Sequence, residues 1–451
     1  MSVDITALRH CMEGAIPSPI ATCALDGTPN IAYLSQVQYV DARHIALTFQ
    51  FFNKTRQNIL QHPHAVVKVV DPHSGSSYRL HARYLRTETS GPLFEKMKAK
   101  LAGIASHTGM VGIFKLQGAD VYEVNKVEAF VSSAQLPPQP SAAACLPTLR
   151  EASNRLNGSG DLDDLFETLL AVLRELYAID HAMVLKLDEA RECLFTVASA
   201  GYAQAGIGSE IPLGHGVIGV AARERTPIRI SHMTSEYMYG KAVRASAVAQ
   251  GLQQQLETAI PLPGLEQCRS QLAVPILAGN ELYGVLYVES PQDLRFGYDD
   301  EDALQTLANQ FGWMARGMAC QAAVEPPAAA GHSLPAPPLP ALGDSPVQVR
   351  YFAADHSVFL NDDYLIKGVA GAIFWKLVRS YCEEQRLQFS NRELRLMPDL
   401  GLPEISDNLE ARLVLLQRRL QERQACVQML KTGRGRFVLQ VSQPLLPVAE
   451  G

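Results

Sequence analysis

The chain has 451 residues, of which 47% are hydrophobic and 19% are charged, and its formal net charge is −6. This length predicts about three domains, and the acidic balance excludes a protein that coats nucleic acid or membranes with its whole surface. No apolar run reaches the roughly 18–20 residues of a membrane helix, no export signal opens the sequence, and the eight cysteines form no CxxC pair. We therefore expect a cytoplasmic protein with reduced thiols and without a structural metal site.

Two stretches rich in proline and alanine divide the sequence. They are AQLPPQPSAAACLP at 134–147 and a longer one at 321–346. Pro-rich segments form extended spacers and cannot bury a core, so both are predicted to be linkers. The predicted domains are 1–133, 148–320 and 347–443.

In the first domain, the strand-like runs IALTFQFF, AVVKVV and MVGIFKL and a helix around 91–105 predict a small antiparallel barrel. The stretch from Gln50 to Ile59 follows a strand and begins a helix with Asn, Lys, Thr and Arg. Free N–H groups, a hydroxyl and an ammonium at such a corner favour an anion site. The same residues could instead be a solvated surface behind an ordinary N-cap, Asn53.

Residues 10–125 resemble the pyridoxamine 5′-phosphate oxidase-like split barrel, through Pro29–Ser35, Asp41–Phe52 and Asn53–Asn58. The resemblance implies FMN as the cofactor, with its phosphate at the strand-to-helix corner and its ring along the strands before it. The cofactor-binding residues that it implies are Ser35, Gln50, Lys54, Thr55 and Asn58. Other members bind haem or a deazaflavin, and the barrel could also bind no cofactor. The substrate-binding basic residues of the oxidase are not recognisable, so no catalytic residue is assigned.

In the second domain, an amphipathic helix at Asp161–Tyr177 precedes two strands, and a glycine-rich turn at Gly214–Gly219 leads into another helix. Two further strands, QLAVPILA and LYGVLYVES, lie before a last helix. This order resembles a GAF domain over 148–318. The resemblance implies an antiparallel sheet that binds a small ligand in a pocket or only dimerises.

The ligand of this domain stays open. Phe296 and the pair Asp300-Glu301 match half of a cyclic-nucleotide signature, but Val288-Glu289-Ser290 stands where its Asn-Lys pair belongs. Other candidates are Cys268 for a bilin, and His215 and His232 for haem or a metal. A lone cysteine or histidine is more often a packed or hydrogen-bonded residue than a ligand.

In the third domain, three short strands precede a helix at Val369–Glu384, a helix that begins with the capping pair Ser390 and Glu393, and a third helix to about Arg423. A hairpin around 432–435 follows. Between residues 408 and 440 there are seven basic and two acidic residues, a local charge of +5. Such a patch suits phosphate binding, or it could be a solvated helix face.

This order resembles the winged-helix DNA-binding domain of OmpR-type response regulators, in which the third helix enters the major groove and the hairpin is the wing. The DNA-binding residues predicted from the pattern and the resemblance are Asn408, Arg412, Arg419, Lys431, Arg434 and Arg436. Asn408, Arg412 and Arg419 share a stripe beside the leucine stripe, and Gln417 and Gln421 lie on the opposite flank.

The sequence thus predicts a multi-domain α+β chain with a split β-barrel, a GAF antiparallel sheet with flanking helices and a winged helix-turn-helix. We expect a ligand- or redox-responsive regulator that binds double-stranded DNA, holds FMN and a small GAF ligand, and forms a homodimer. Two alternatives remain. One is a flavin- or haem-dependent oxidoreductase with regulatory domains, and the other is a ligand-gated scaffold for protein contacts.

Overall fold

A computed structural model describes residues 4–12, 18–34, 36–50, 53–71, 74–107, 116–130, 146–230, 260–324, 345–395, 397, 409–433 and 435–450. They form three units of mixed α and β structure: an N-terminal unit (4–130), a middle unit (146–324) and a C-terminal unit (345–450). No helix in these ranges is long and apolar enough to cross a membrane. Most of both predicted linkers lies outside the described residues.

The N-terminal unit is a seven-stranded sheet in which every pairing is antiparallel. A 3₁₀ turn (Thr6–Met12) precedes it, and two helices, α1 (Lys54–Gln61) and α2 (Pro92–His107), interrupt it. The strands are β1 (Ser18–Cys23), β2 (Pro29–Leu34), β3 (Val37–Tyr39), β4 (His44–Phe49), β5 (His64–Val70), β6 (Ser77–Glu88) and β7 (Gly118–Phe130), in the spatial order β2-β1-β5-β6-β7-β4-β3. The strand predicted from MVGIFKL lies almost entirely outside the described residues.

The middle unit is a six-stranded antiparallel sheet between two layers of helix. Its helices are α3 (Leu146–Asn157), α4 (Leu162–Tyr177), α5 (Gly216–Glu224) and α6 (Tyr298–Val324). Its strands are β8 (His181–Asp188), β9 (Cys193–Ala200), β10 (Glu210–Pro212), β11 (Ile228–Ile230), β12 (Ser270–Ala278) and β13 (Glu281–Ser290), in the order β10-β9-β8-β13-β12-β11.

Alternate residues of β13 supply both layers of this core, as a strand buried on two faces requires. Leu286 and Val288 pack with α3, α4 and α6, whereas Val285 and Tyr287 pack with α5. Helix α4 begins as the sequence predicts, because the Asp161 side chain accepts hydrogen bonds from two backbone N–H groups of the first turn.

The C-terminal unit joins two small sheets through three helices. Its helices are α7 (Gly368–Glu384), α8 (Asn391–Arg395) and α9 (Leu409–Glu422). One sheet has the order β16-β15-β14-β20, from β14 (Val347–Phe352), β15 (Ser357–Leu360), β16 (Asp363–Ile366) and β20 (Leu445–Glu450); the other has the order β17-β19-β18, from β17 (Gln388–Ser390), β18 (Val427–Gly433) and β19 (Arg436–Val441).

Strand β20 begins after the predicted domain limit at 443 and pairs in parallel with β14. The predicted capping pair is present, since the Ser390 hydroxyl accepts from the Glu393 N–H and the Glu393 carboxylate accepts from the Ser390 N–H. The core of this unit is continuous with the α4 and α6 side of the middle unit. The two units are therefore packed together, with α9 between them.

Candidate functional site

The N-terminal unit has a cleft at the corner where β4 leads into α1. Its empty volume, counted to the open mouth, is about 660 Å³. Gln50 and Thr55 lie in its wall, together with Asn53, Arg56 and Asp120. The cleft is therefore at the place that the sequence predicts for a phosphate.

The start of α1 is organised by short hydrogen bonds. The Asn53 side chain accepts from the Arg56 backbone N–H at 3.0 Å and caps the helix. The Thr55 hydroxyl accepts from the Asn30 amide at 2.9 Å, which holds it in the cleft wall. Gln50 is buried, and its Nε2 has no hydrogen-bond partner among the described atoms. A buried donor without a partner is unfavourable, so a ligand acceptor in the cleft would satisfy it.

Arg56 does not offer a free charge to this cleft. Its guanidinium donates to Asp120 at 2.5 Å and to Thr87 at 2.9 Å, and it lies over the Phe49 ring at 4.3 Å. Burial raises the pKa of Asp120, although its contacts with Thr87 and Arg56 pull the other way. Sequence reasoning did not identify the Arg56–Asp120 pair, because the two residues are 64 positions apart.

The structure brings two of the five predicted cofactor residues into the cleft wall, Gln50 and Thr55. Lys54 is exposed at the first position of α1 and is not a wall residue. Asn58 is buried, and its side-chain amide donates to the Thr22 hydroxyl at 3.1 Å. Ser35 lies outside the described residues.

The candidate ligands of the middle unit are not brought together. Cys268 is buried and its thiol donates to the Ser270 carbonyl at 3.4 Å, as expected of a packed cysteine. His215 is exposed before α5, and His232 lies outside the described residues. Glu289 is buried and accepts from the Tyr202 hydroxyl at 3.0 Å. The described residues contain no group of three or more His, Cys, Asp or Glu placed to hold a metal.

Glu301, from the partial cyclic-nucleotide signature, joins the middle unit to the N-terminal unit instead. It accepts from Lys96 of α2 and from Arg229 of β11, both at 3.0 Å. Burial raises the pKa of Glu301, but Lys100, Arg229 and Lys96 outweigh this and lower it to about 2. The carboxylate therefore stays charged at the centre of a cationic cluster.

Arg412, predicted to read DNA bases, is buried against the middle unit. Its guanidinium donates to Asp188 at 2.9 Å and lies 4.5 Å from the centre of the Phe195 ring. The side chains of Arg412 and Asp188 are only 7% and 5% exposed. In this arrangement Arg412 is out of reach of a DNA groove.

More basic residues of the C-terminal unit face carboxylates of the middle unit. Arg418 pairs with Asp163 at 2.7 Å and with Glu167 at 2.8 Å. Lys431 pairs with Asp161, the residue that caps α4. The sequence could not identify these partners, because they belong to another domain.

The other residues predicted to contact DNA lie in different surroundings. Arg419 is buried inside its own unit, where it donates to the Leu365 carbonyl at 2.9 Å and pairs with Glu422 at 2.6 Å. Arg436 is exposed on β19. Asn408 and Arg434 lie outside the described residues. On the flank predicted to be neutral, Gln421 is exposed, whereas Gln417 is half-buried.

Comparisons with known proteins place one family within the chain. The GAF domain family matches residues 161–314. Among solved structures, the GAF domain of a phosphoenolpyruvate-protein phosphotransferase from Acinetobacter is 24% identical, with 40% of this chain and 96% of that chain covered and a TM-score of 0.30.

Two other solved structures are similar over a smaller share of the chain. HupZ from Group A Streptococcus is 20% identical over 28% of this chain and 99% of its own, with a TM-score of 0.23. An FMN-binding protein from Syntrophomonas wolfei subsp. wolfei is 17% identical over 29% and 86%, also with a TM-score of 0.23. No curated protein matches the sequence. Residues 161–314 of this chain form a GAF domain.

Proposed function

We propose that this chain is a DNA-binding regulator whose C-terminal unit is held inactive by its GAF domain and is released by a ligand or a redox change. The observation that carries the proposal is the pairing of Arg412, Arg418 and Lys431 with carboxylates of the middle unit. Cationic side chains that meet carboxylates in this way are also able to meet DNA phosphates.

The architecture of the C-terminal unit supports the DNA-binding part. Three strands, a helix, the short strand β17, two further helices and a hairpin follow one another. The resemblance to a winged helix would make α9 the reading helix and β18–β19 the wing. Base contacts by Asn408 and Arg412, and backbone contacts by Arg434 and Arg436, remain predictions within this proposal.

DNA binding requires the C-terminal unit to leave the middle unit, because α9 is covered on both its leucine stripe and its Arg412 stripe. The two states compete for the same arginines. A ligand that binds them with different affinity shifts the balance between them. The GAF domain is the proposed receptor for a small ligand.

We also propose FMN in the N-terminal cleft. The buried Gln50 Nε2, the Thr55 hydroxyl and the start of α1 fit the carbonyl and phosphate acceptors of this cofactor. Since Arg56 is already paired, Lys54 and the α1 amides would neutralise the phosphate. Bound FMN would supply reversible two-electron redox chemistry.

A second copy of the chain is the proposed partner of β2. Ile31 and Tyr33 alternate on the outer face of this edge strand and are 74% and 79% exposed. Tyr33 also belongs to the cleft wall. Two copies packed through β2 would bury both side chains and close the cleft, which agrees with the homodimer expected from the sequence.

The test of the regulator proposal compares wild type with Asp188→Asn in the full-length protein. The substitution removes the Asp188 carboxylate from the buried Arg412 when the units are docked, so it favours release. We expect affinity for selected DNA, measured by fluorescence anisotropy, to rise ten-fold or more. Glu189→Gln is the matched control, since Glu189 is exposed and has no ion pair among the described residues.

Two results would contradict the regulator proposal. Small-angle scattering would report whether the Asp188→Asn protein has opened. An opened protein that shows no salt-dependent DNA binding would favour the protein-contact scaffold. Turnover of NAD(P)H or pyridoxamine phosphate by the purified protein would favour the oxidoreductase.

A further inference from the structure

We propose that the cleft between the middle unit and the C-terminal unit binds a small molecule that has an apolar body and an anionic group. The bound molecule would hold the two units together. The middle unit contributes the start of α4 and part of α6, and the C-terminal unit contributes α9 and the β18–β19 hairpin. This interdomain cleft shares no wall residue with the cleft proposed for FMN.

The wall of the interdomain cleft is mainly apolar. Its empty volume, counted to the open mouth, is about 790 Å³. The apolar side chains that line it are Leu162, Met318, Leu413, Val414, Met429 and Phe437. The two methionines come from opposite units, and their flexible thioethers adapt readily to an apolar guest.

The carboxylates of Asp161 and Asp163, which also line the cleft, are paired with Lys431 and Arg418. Two other polar groups therefore define the chemistry of the guest. Glu410 lines the cleft, and its Oε1 is buried without a hydrogen-bond partner, while its Oε2 accepts from Arg395 at 2.6 Å. A donor on the guest, such as a hydroxyl or an N–H, would satisfy this oxygen.

Arg436 favours a guest that carries a negative charge. It lines the same cleft and is exposed, and it has no ion pair among the described residues, whereas Lys431 nearby is already paired with Asp161. An anionic group beside Arg436 would gain a charge-assisted hydrogen bond. The chemical class that fits is therefore an apolar body with one hydrogen-bond donor and one anionic end.

A guest in this cleft stabilises the docked arrangement, because its walls exist together only when the units are in contact. By mass action, a guest at a hundred times its Kd lowers the released fraction about a hundred-fold. It would also occupy Arg436, a proposed DNA contact. This regulatory consequence rests on the proposed function, whereas the site itself does not.

The first experiment uses anilinonaphthalene sulfonate, which has two apolar ring systems, an N–H donor and an anionic sulfonate. The full-length protein should bind it at one saturable site. Gly433 lines the cleft and has open space where a Cβ would stand, so Gly433→Leu should fill the cleft and abolish that binding. Gly317→Leu is the control, because Gly317 also faces open space but is not a wall residue.

A second pair of variants tests the charge without filling the cleft. Arg436→Gln should weaken sulfonate binding about ten-fold, and Arg392→Gln, at an exposed arginine outside the cleft, should leave it unchanged. Equal binding by wild type, Gly433→Leu and Arg436→Gln would overturn the site.

Measurements of DNA affinity with and without the sulfonate distinguish the site from the proposed function. Saturating sulfonate should lower the affinity of the full-length protein for DNA, and Gly433→Leu should remove this effect. Sulfonate binding without an effect on measurable DNA binding would overturn the regulatory consequence and support the site. Sulfonate binding by a protein that never binds DNA would overturn the proposed function and leave the site supported.

Discussion

The two interfaces of the middle unit both combine a buried carboxylate with ion pairs nearer the surface, but they differ in how many cations surround the buried carboxylate. Toward the N-terminal unit, the carboxylate of Glu301 is almost fully buried beside Lys96, Lys100 and Arg229. Arg9 of the N-terminal unit also pairs with the exposed Asp299 and Asp302. Toward the C-terminal unit, one pair is buried, Arg412 with Asp188, and the others lie near the surface, with Asp163 35% and Glu167 66% exposed.

This difference indicates which contact is built to open. A buried carboxylate inside a cationic cluster is strongly destabilised when one partner is lost, so the N-terminal contact should be permanent. Exposed pairs contribute little and are screened by salt, so release of the C-terminal unit is opposed mainly by the Arg412–Asp188 pair and the shared apolar core. We therefore expect the N-terminal and middle units to act as one body and the C-terminal unit to move.

The largest expected effect is at Glu301. Glu301→Gln removes the carboxylate charge that lies among the buried Lys100 and Arg229, and it should lower the free energy of unfolding by about 3–5 kcal/mol. Asp302→Asn, at a side chain 69% exposed, should change it by less than about 1 kcal/mol. Urea unfolding at neutral pH measures both, and equal effects would contradict a buried cluster.

The same residue predicts a pH dependence. Its pKa falls from a usual value of 4.5 to about 2 in the folded protein, so its contribution to stability is complete above about pH 4.5 and is lost as the pH falls toward 2. Wild type should therefore lose stability across this window. The Glu301→Gln protein should show a smaller loss there, measured by calorimetry.

The next effect concerns base reading by α9 and is measured in the Asp188→Asn background, where Arg412 is released. Arg412→Ala should relax preference at one base step, by about 1–3 kcal/mol of discrimination. Arg436→Ala should weaken binding to all sequences alike and reduce the salt slope by about one. Anisotropy with matched and altered operators at several salt concentrations measures both. Identical behaviour of the two variants would contradict the assigned roles.

At the proposed FMN site we expect a smaller change, a loss of affinity for FMN that depends on its phosphate group. Thr55→Val removes a hydroxyl from the cleft wall and should weaken FMN binding about ten-fold, the usual value of one bond to a charged group. Riboflavin, which has no phosphate, should bind wild type and variant alike. Thr28→Val, at an exposed turn, is the control. A protein that takes up neither flavin contradicts the FMN proposal.

Local patterns predicted part of this structure. The amphipathic spacing predicted α4, and the Ser390–Glu393 pair predicted the start of α8, because both signals are local in the sequence. Strands β6 and β7 were missed. Their charged residues, such as Arg79 and Glu123, hide the alternation of buried positions, and their pairing is long-range.

Strand β20 was missed for similar reasons: Pro447 weakens its strand character, and its parallel partner is about a hundred positions away. The role of the arginine stripe on α9 was harder to predict from the sequence than these strands. The helical period separates the Arg412 stripe from the leucine stripe, but it does not tell whether an arginine faces DNA, solvent or a carboxylate of another domain. Only the packing of α9 on Asp188 and Asp163 supplies that information.

The smallest expected effect is at the exposed pairs of α9, where the contrast between the two interfaces can be sharpened. Asp163→Asn with Glu167→Gln removes both partners of Arg418 but leaves Arg412–Asp188 intact. Two pairs whose carboxylates are partly exposed contribute about 0.5 kcal/mol each, so docking should weaken about five-fold. Amide hydrogen exchange of α9, which reports its opening, should accelerate by that factor.

Salt provides the control for this measurement. Raising the ionic strength from about 0.05 to about 0.5 M shortens the Debye length several-fold, so wild type should approach the double variant. Exchange in α2, which packs on the middle unit beside Glu301, should not respond to either change. Because the buried Arg412–Asp188 pair is shielded from salt, docking should persist in both proteins. Salt that frees α9 completely would mean that the exposed pairs, and not Arg412, hold the C-terminal unit in place.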